Sequence, residues 1–264
     1  MNNTSTNLRI LQNNAQRCIS ATSLISNQLT KYDLVLLQEP YCRAGTPACL
    51  PTFCSILSEA FQDPWAITLV PNTNFTVMHH AKHSNENIVA TEINLNDKRI
   101  VILNIYFSGG ADSESYLKNL QDTIDAFSGT YLIIVGDINA HSPAWGGAEL
   151  DRCGDLFEEF LHRNNLLLLN NLMSPPTFQS TRRHSWIDVS TCSSGFCNRI
   201  LNWRVLPKKS LSDHAHITFD ICPKMRHFIE NTPRRKYDPK RANWARIKEF
   251  LETNLIKDYS SEQN

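Results

Sequence analysis

Short apolar runs separated by polar turns dominate the first four-fifths of the chain. Leu8–Leu11, Leu34–Leu37, Phe75–Met78, Ile88–Ile93, Ile100–Tyr106, Tyr131–Val135, Leu201–Leu206 and His216–Ile221 read as strands. Helical spacing lies between some of them. Ile19–Leu29 places Ile19, Leu24, Ile25 and Leu29 near one face. Ser113–Phe127 follows Asp112, an N-cap residue type, and aligns Tyr116, Leu117, Leu120, Ile124 and Phe127. Asp155–Leu161 is a third, shorter helix. Strands with dispersed helices predict an α/β protein in which two packed sheets carry outer helices. Strand-like sequence stops near Pro223, so residues 1–223 form one expected domain. Residues 224–264 form a basic connector with a final amphipathic helix at Asn243–Leu255, where Trp244, Ile247, Phe250, Leu251 and Leu255 share one side.

Composition narrows the class. A chain of 264 residues with 41% hydrophobic and 20% charged residues can bury an ordinary globular core. No apolar run approaches the roughly 18 residues that span a bilayer. The first ten residues lack the layout of a secretory signal, so a cytosolic or nuclear address is expected. Eight cysteines without a C-x-x-C pair read as buried thiols rather than disulfides or a zinc site. The net charge is zero, but residues 1–223 are acidic and the remainder is equally basic, with PRRKYDPKR at 233–241. That run suits either a solvated linker or a nucleic-acid contact.

Strand parity directs attention to a few polar side chains. Residues two apart share a face of an extended segment. Ile10, Gln12 and Asn14 form one such row; Val35, Leu37 and Glu39 a second; Ile133, Val135, Asp137 and Asn139 a third. Each row ends in a group able to bind a metal or a phosphate. Asp188 sits inside the apolar run SWIDVS and needs a partner there. Asp213 and His214 precede the last strand. A histidine held by a carboxylate can work near neutral pH, and Asp188 is the expected orienter of His214. Each feature alone also fits a polar strand end or turn.

Together, LRILQNNAQ, LVLLQEP, ILNIYFSGG, VGDINAHSPAWG, SWIDVS and SLSDHAHI resemble the endonuclease/exonuclease/phosphatase superfamily. The resemblance extends from about Leu8 to Ile221 and is most specific to the apurinic-like endonuclease domain of non-LTR retrotransposons. It implies a DNase-I-like four-layer α/β sandwich and Mg²⁺-dependent hydrolysis of double-stranded DNA, with Mn²⁺ as a substitute. On its motif positions Glu39 and Asn14 match metal-site residues. Tyr106, Asp137, Asn139, Asp188, Asp213 and His214 match catalytic ones, with Tyr106 and Asn139 also on the scissile phosphate. His141, Arg182 and Arg183 are the further expected substrate contacts. The resemblance also implies action in the nucleus and a reverse transcriptase following in a polyprotein; none follows here, which suits an isolated domain or a truncated copy. Gln16 stands where many relatives carry Asp or Asn, and YFSGG replaces the more widespread Tyr-x-Pro-Asn. Two other readings share these motifs: a phosphohydrolase acting on an abasic site, an inositol phosphate or a lipid headgroup, and a DNA-binding module without activity.

Overall fold

The computed structural model describes residues 7–59, 62–71, 75–96, 98–110, 112–207, 210–223 and 244. Two six-stranded mixed sheets form its centre. The strands, in chain order, are β1 (Leu8–Asn14), β2 (Leu34–Gln38), β3 (Ser55–Leu57), β4 (Ala66–Val70), β5 (Val77–His79), β6 (Ile88–Leu95), β7 (Lys98–Tyr106), β8 (Tyr131–Asp137), β9 (Leu166–Leu168), β10 (Asp188–Ser193), β11 (Ile200–Val205) and β12 (Ile217–Ile221). One sheet runs β11-β12-β1-β2-β4-β3 and the other β9-β10-β8-β7-β6-β5. β1 and β2 are parallel, as are β7 and β8; the remaining neighbours are antiparallel.

The inner faces meet through Ile10, Leu34, Leu36, Ile102, Ile133, Val135 and Phe219. Helix α1 (Ile19–Ser26) covers the outer face of the first sheet, where Ile25 packs with Leu11, Val35 and Leu37. Helices α2 (Ser113–Asp125) and α3 (Arg152–Arg163) cover the second, burying Leu120, Ile124, Phe157 and Phe160 on Leu103, Ile105 and Ile134. The result is the four-layer α/β sandwich expected from the sequence.

Local chemistry explains the helix boundaries. Asp112 caps α2 by accepting from the Glu114 and Ser115 amides. α3 begins earlier than expected because Asp151 caps it by accepting from Gly154 N at 2.6 Å. α1 ends at Ser26, short of the expected Leu29, which falls in a separate 3₁₀ turn; Ile19 is exposed rather than on the packed face. Pairing of β8 with β7 requires a glycine at 136, where a Cβ would lie 1.9 Å from the Ile105 carbonyl oxygen.

Two units are delimited, Met1–Arg226 and His227–Asn264. The expected helix at Asn243–Leu255 lies outside the described residues except for Trp244. No helix among the described residues is long and apolar enough to cross a membrane.

Candidate active site

Register builds the site. On the second sheet Asp137 ends β8, directly opposite Tyr106 on β7 and Asp188 on β10. Three side chains able to act on a substrate thus form one cross-strand row at the inner rim. On the first sheet Asn14 ends β1 opposite Gln38, and Glu39 follows. His214 enters from the segment before β12, pinned by an isolated bridge to Phe178 and by Asn13 Nδ2 donating to its carbonyl at 3.1 Å.

Two of the parity rows need correction. Val35 and Leu37 face α1, not the inner core, because β2 is buried on both sides and alternation cannot tell its faces apart. Glu39 reaches the site because its backbone turns left-handed (φ 45°), fixed by Glu39 N donating to Trp65 O at 2.7 Å. Asn139 likewise lies beyond the strand, at φ 48°.

The hydrogen bonds join these residues. His214 Nδ1 lies 2.9 and 3.1 Å from the two Asp188 oxygens, and its Nε2 lies 3.7 Å from Asp137 Oδ2. Asp137 accepts from Asn14 Nδ2 and from Asn139 N, each at 2.9 Å. Asn14 Oδ1 accepts from Gln16 N at 2.8 Å, so both ends of this amide are engaged. Tyr106 donates its hydroxyl to Glu39 Oε1 at 2.9 Å. Its ring stacks on Trp65 (5.2 Å between centroids), over which the Arg17 guanidinium sits at 4.4 Å. Asn139 Nδ2 donates to Phe107 O at 2.7 Å.

Asp137, Asp188 and His214 are all nearly fully buried. Burial and the Asp188 charge push the Asp137 carboxyl up to about 7, with His214, Asn139 and Asn14 opposing. Burial works against a charged His214, but the Asp188 charge and hydrogen bond, with Asp137 and Glu39, outweigh it and raise the imidazole to about 9. Burial and Glu39 raise the Tyr106 phenol, which stays protonated.

The donor set fits a hard divalent cation. Asp137, Asp188 and His214 bring ligand-type atoms within 4.8 Å of one another. A protonated imidazole has no lone pair for a metal, so His214 acts as the cation of this trio. Three carboxylates, counting half-buried Glu39, face one imidazolium; burial first, and the Asp188 charge second, raise Asp137. Oxygen donors with excess negative charge suit a hard divalent cation.

Other expected residues lie at the periphery. Asp213 is exposed; its N–H donates to Gln16 Oε1 and its carbonyl accepts from Gln179 N. His141 turns to Asp151, with Nδ1 2.9 Å from Oδ2 and its own N–H donating to the same oxygen at 3.0 Å. Arg182 and Arg183 are exposed in the turn joining Phe178–Gln179 to His184–Ser185, the small hairpin that contacts His214 through Phe178. Sequence reasoning missed Trp65 and Thr177. The Thr177 hydroxyl accepts from Ile187 N and Asp188 N, both at 3.1 Å, and so fixes the start of β10.

Residues 100–218 match a family model described as endonuclease-reverse transcriptase. The endonuclease domain of TRAS1, a telomere-specific non-LTR retrotransposon, is similar in structure, with TM-score 0.73, 29% identity, and coverage of 82% of this chain and 99% of that one. AP endonuclease LMAP from Leishmania major has TM-score 0.63 at 13% identity, over 83% of this chain and 88% of that one. The Xenopus laevis APE2 catalytic domain has TM-score 0.60 at 14% identity, over 81% and 93%. At such identities the last two share the fold. No curated protein matches. Fold, site and relatives together define a nuclease of the endonuclease/exonuclease/phosphatase superfamily. Within it, this chain is similar to the endonuclease-reverse transcriptase family over residues 100–218 and to the endonuclease domain of a non-LTR retrotransposon over most of its length.

Proposed function

We propose that the protein is a Mg²⁺-dependent DNA endonuclease of retrotransposon type, which nicks duplex DNA to leave 3′-hydroxyl and 5′-phosphate ends. The observation that carries this reading is the convergence of Glu39–Tyr106 with the buried Asp137–His214–Asp188 trio at one rim. A cation bound there would supply charge neutralisation at the phosphate; the water oxygen bonds to phosphorus as the P–O3′ bond breaks, and the departing 3′ oxygen takes a proton from solvent. Glu39 would hold it, and Tyr106 fixes the Glu39 carboxylate through its hydroxyl. Asp137, whose carboxyl is raised by burial and by the Asp188 charge, orients the attacking water and takes its proton. Asp188 keeps His214 protonated, so His214 Nε2 and the Asn139 amide donate to phosphoryl oxygens as charge builds. Arg182 and Arg183 contact the DNA backbone or bases beside the cut.

In this role the enzyme acts in the nucleus, and its 3′ end primes a reverse transcriptase in the full polyprotein. Supercoiled plasmid incubated with the protein and Mg²⁺ should become open circles whose 3′ ends a DNA polymerase extends. Intact plasmid, alongside phosphate release from an inositol or lipid substrate, would favour another phosphohydrolase instead.

A further inference from the structure

The inner core changes character toward the site. Its depth is aliphatic, with Ile10, Leu34, Ile102 and Ile133 in contact. One layer nearer the rim, two fully buried amides face each other across the sheets. Gln38 Nε2, on β2, donates to Asn104 Oδ1, on β7, at 2.5 Å. Asn104 Nδ2 donates to Ile67 O at 2.8 Å and to Leu37 O at 3.4 Å.

Stability does not require this arrangement. A leucine–isoleucine contact would bury similar area without desolvating two amides. Gln38 Oε1 is buried with no hydrogen-bond partner among the described residues, which adds a cost. Location supplies the reason. Gln38 immediately precedes Glu39, and Asn104 lies two residues before Tyr106 on the same face of β7. The amide bridge therefore lies directly beneath the Tyr106–Glu39 hydrogen bond, which also joins the sheets. The carbonyls that Asn104 holds belong to Leu37 and Ile67, paired residues near the ends from which Glu39 and Trp65 leave the sheet.

We propose that Gln38 and Asn104 are positioning residues, an amide strut that sets the spacing of the sheets so that Glu39 is held ready for its divalent cation. This rests on the cation-dependent nuclease reading and adds what aligns its ligand.

The test uses Gln38→Met and Asn104→Leu, alone and together, and the exchange Gln38→Asn with Asn104→Gln, which keeps an amide pair across the gap. Mn²⁺ binding to the protein alone is measured by electron paramagnetic resonance, beside thermal melting and the Mg²⁺ dependence of plasmid nicking. The double apolar variant should melt at or above the wild-type temperature, while each single variant, which leaves a buried amide unpaired, should melt lower. All should bind Mn²⁺ about 10–100-fold more weakly, with the Mg²⁺ half-saturation point raised by a similar factor. The exchanged pair should recover most of the binding. Unchanged Mn²⁺ affinity in the apolar variants would overturn the strut, as would a loss that merely tracks melting temperature and is not restored by the exchange. Wild-type Mn²⁺ binding that Glu39→Gln does not weaken also overturns it. If wild type binds Mn²⁺ through Glu39 but never nicks DNA, the nuclease reading fails and the binding comparison still decides the strut.

Discussion

Replacing Asp188 with asparagine isolates what keeps His214 charged. The imidazole stands at about 9 against an ordinary 6.5, a difference of about 3–4 kcal/mol at roughly 1.4 kcal/mol per pH unit. Burial is the largest single influence and opposes the charge; Asp188 is the strongest influence favouring it. In Asp188→Asn the burial effect dominates and the pKa falls to the ordinary value or below. At pH 7.5 wild-type His214 is then ~97% protonated and the variant at most ~10%. Nicking should fall about tenfold or more at pH 7.5, with part of the loss recovered at pH 6. The same change removes the Asp188 charge from Asp137, whose pKa should drop. Stability should respond too. A histidine raised in the folded state stabilises fully below pH 6.5 and loses that contribution as pH rises through about 9. Wild type should therefore lose stability across this window, while Asp188→Asn should not show the same loss. The assays are a pH–rate profile on supercoiled plasmid and a nuclear magnetic resonance titration of His214. A variant with the wild-type profile and an unmoved His214 titration would refute the reasoning.

Tyr106→Phe removes a hydroxyl bonded to the Glu39 carboxylate, a contact of about 1.5–3 kcal/mol; the melting temperature should fall by several degrees and nicking by about 10–100-fold. Gly136→Ala drives a Cβ against the Ile105 carbonyl and should part β7 from β8, visible as lost soluble yield or a collapsed melting transition. Arg182→Ala and Arg183→Ala should each weaken DNA binding and flatten the slope of log affinity against log salt by about 0.9 if the side chain meets a phosphate. Chelation should stop nicking, and either Mg²⁺ or Mn²⁺ should restore it.

Sequence periodicity located the long inner strands well, because Ile100–Tyr106, interrupted only by Asn104, and Tyr131–Val135 are apolar runs. It missed Ala66–Val70, a fully buried five-residue run whose apolar character does not distinguish a strand from a helix turn. Asp137 and Asp188 were legible because a carboxylate at the inner end of an apolar run demands a partner. Glu39 was selected for a parity it does not have; a left-handed backbone at a glutamate is decided by tertiary bonds to Trp65 and Arg17, which no local pattern encodes. Gln38, Asn104, Trp65 and Thr177 escaped notice for a related reason. Their importance lies in pairing across sheets and loops far apart in sequence.

The central claim is that one rim combines a cation site at Glu39 with a charged His214 to hydrolyse DNA. Its most direct test measures duplex binding and Mg²⁺-dependent nicking side by side for wild type, Glu39→Ala and His214→Ala. Wild type should both bind and nick, and each variant should bind DNA nearly as wild type does yet leave supercoiled plasmid uncut. A wild type that binds DNA without nicking it in Mg²⁺ or Mn²⁺, or variants that nick at the wild-type rate, would contradict the account.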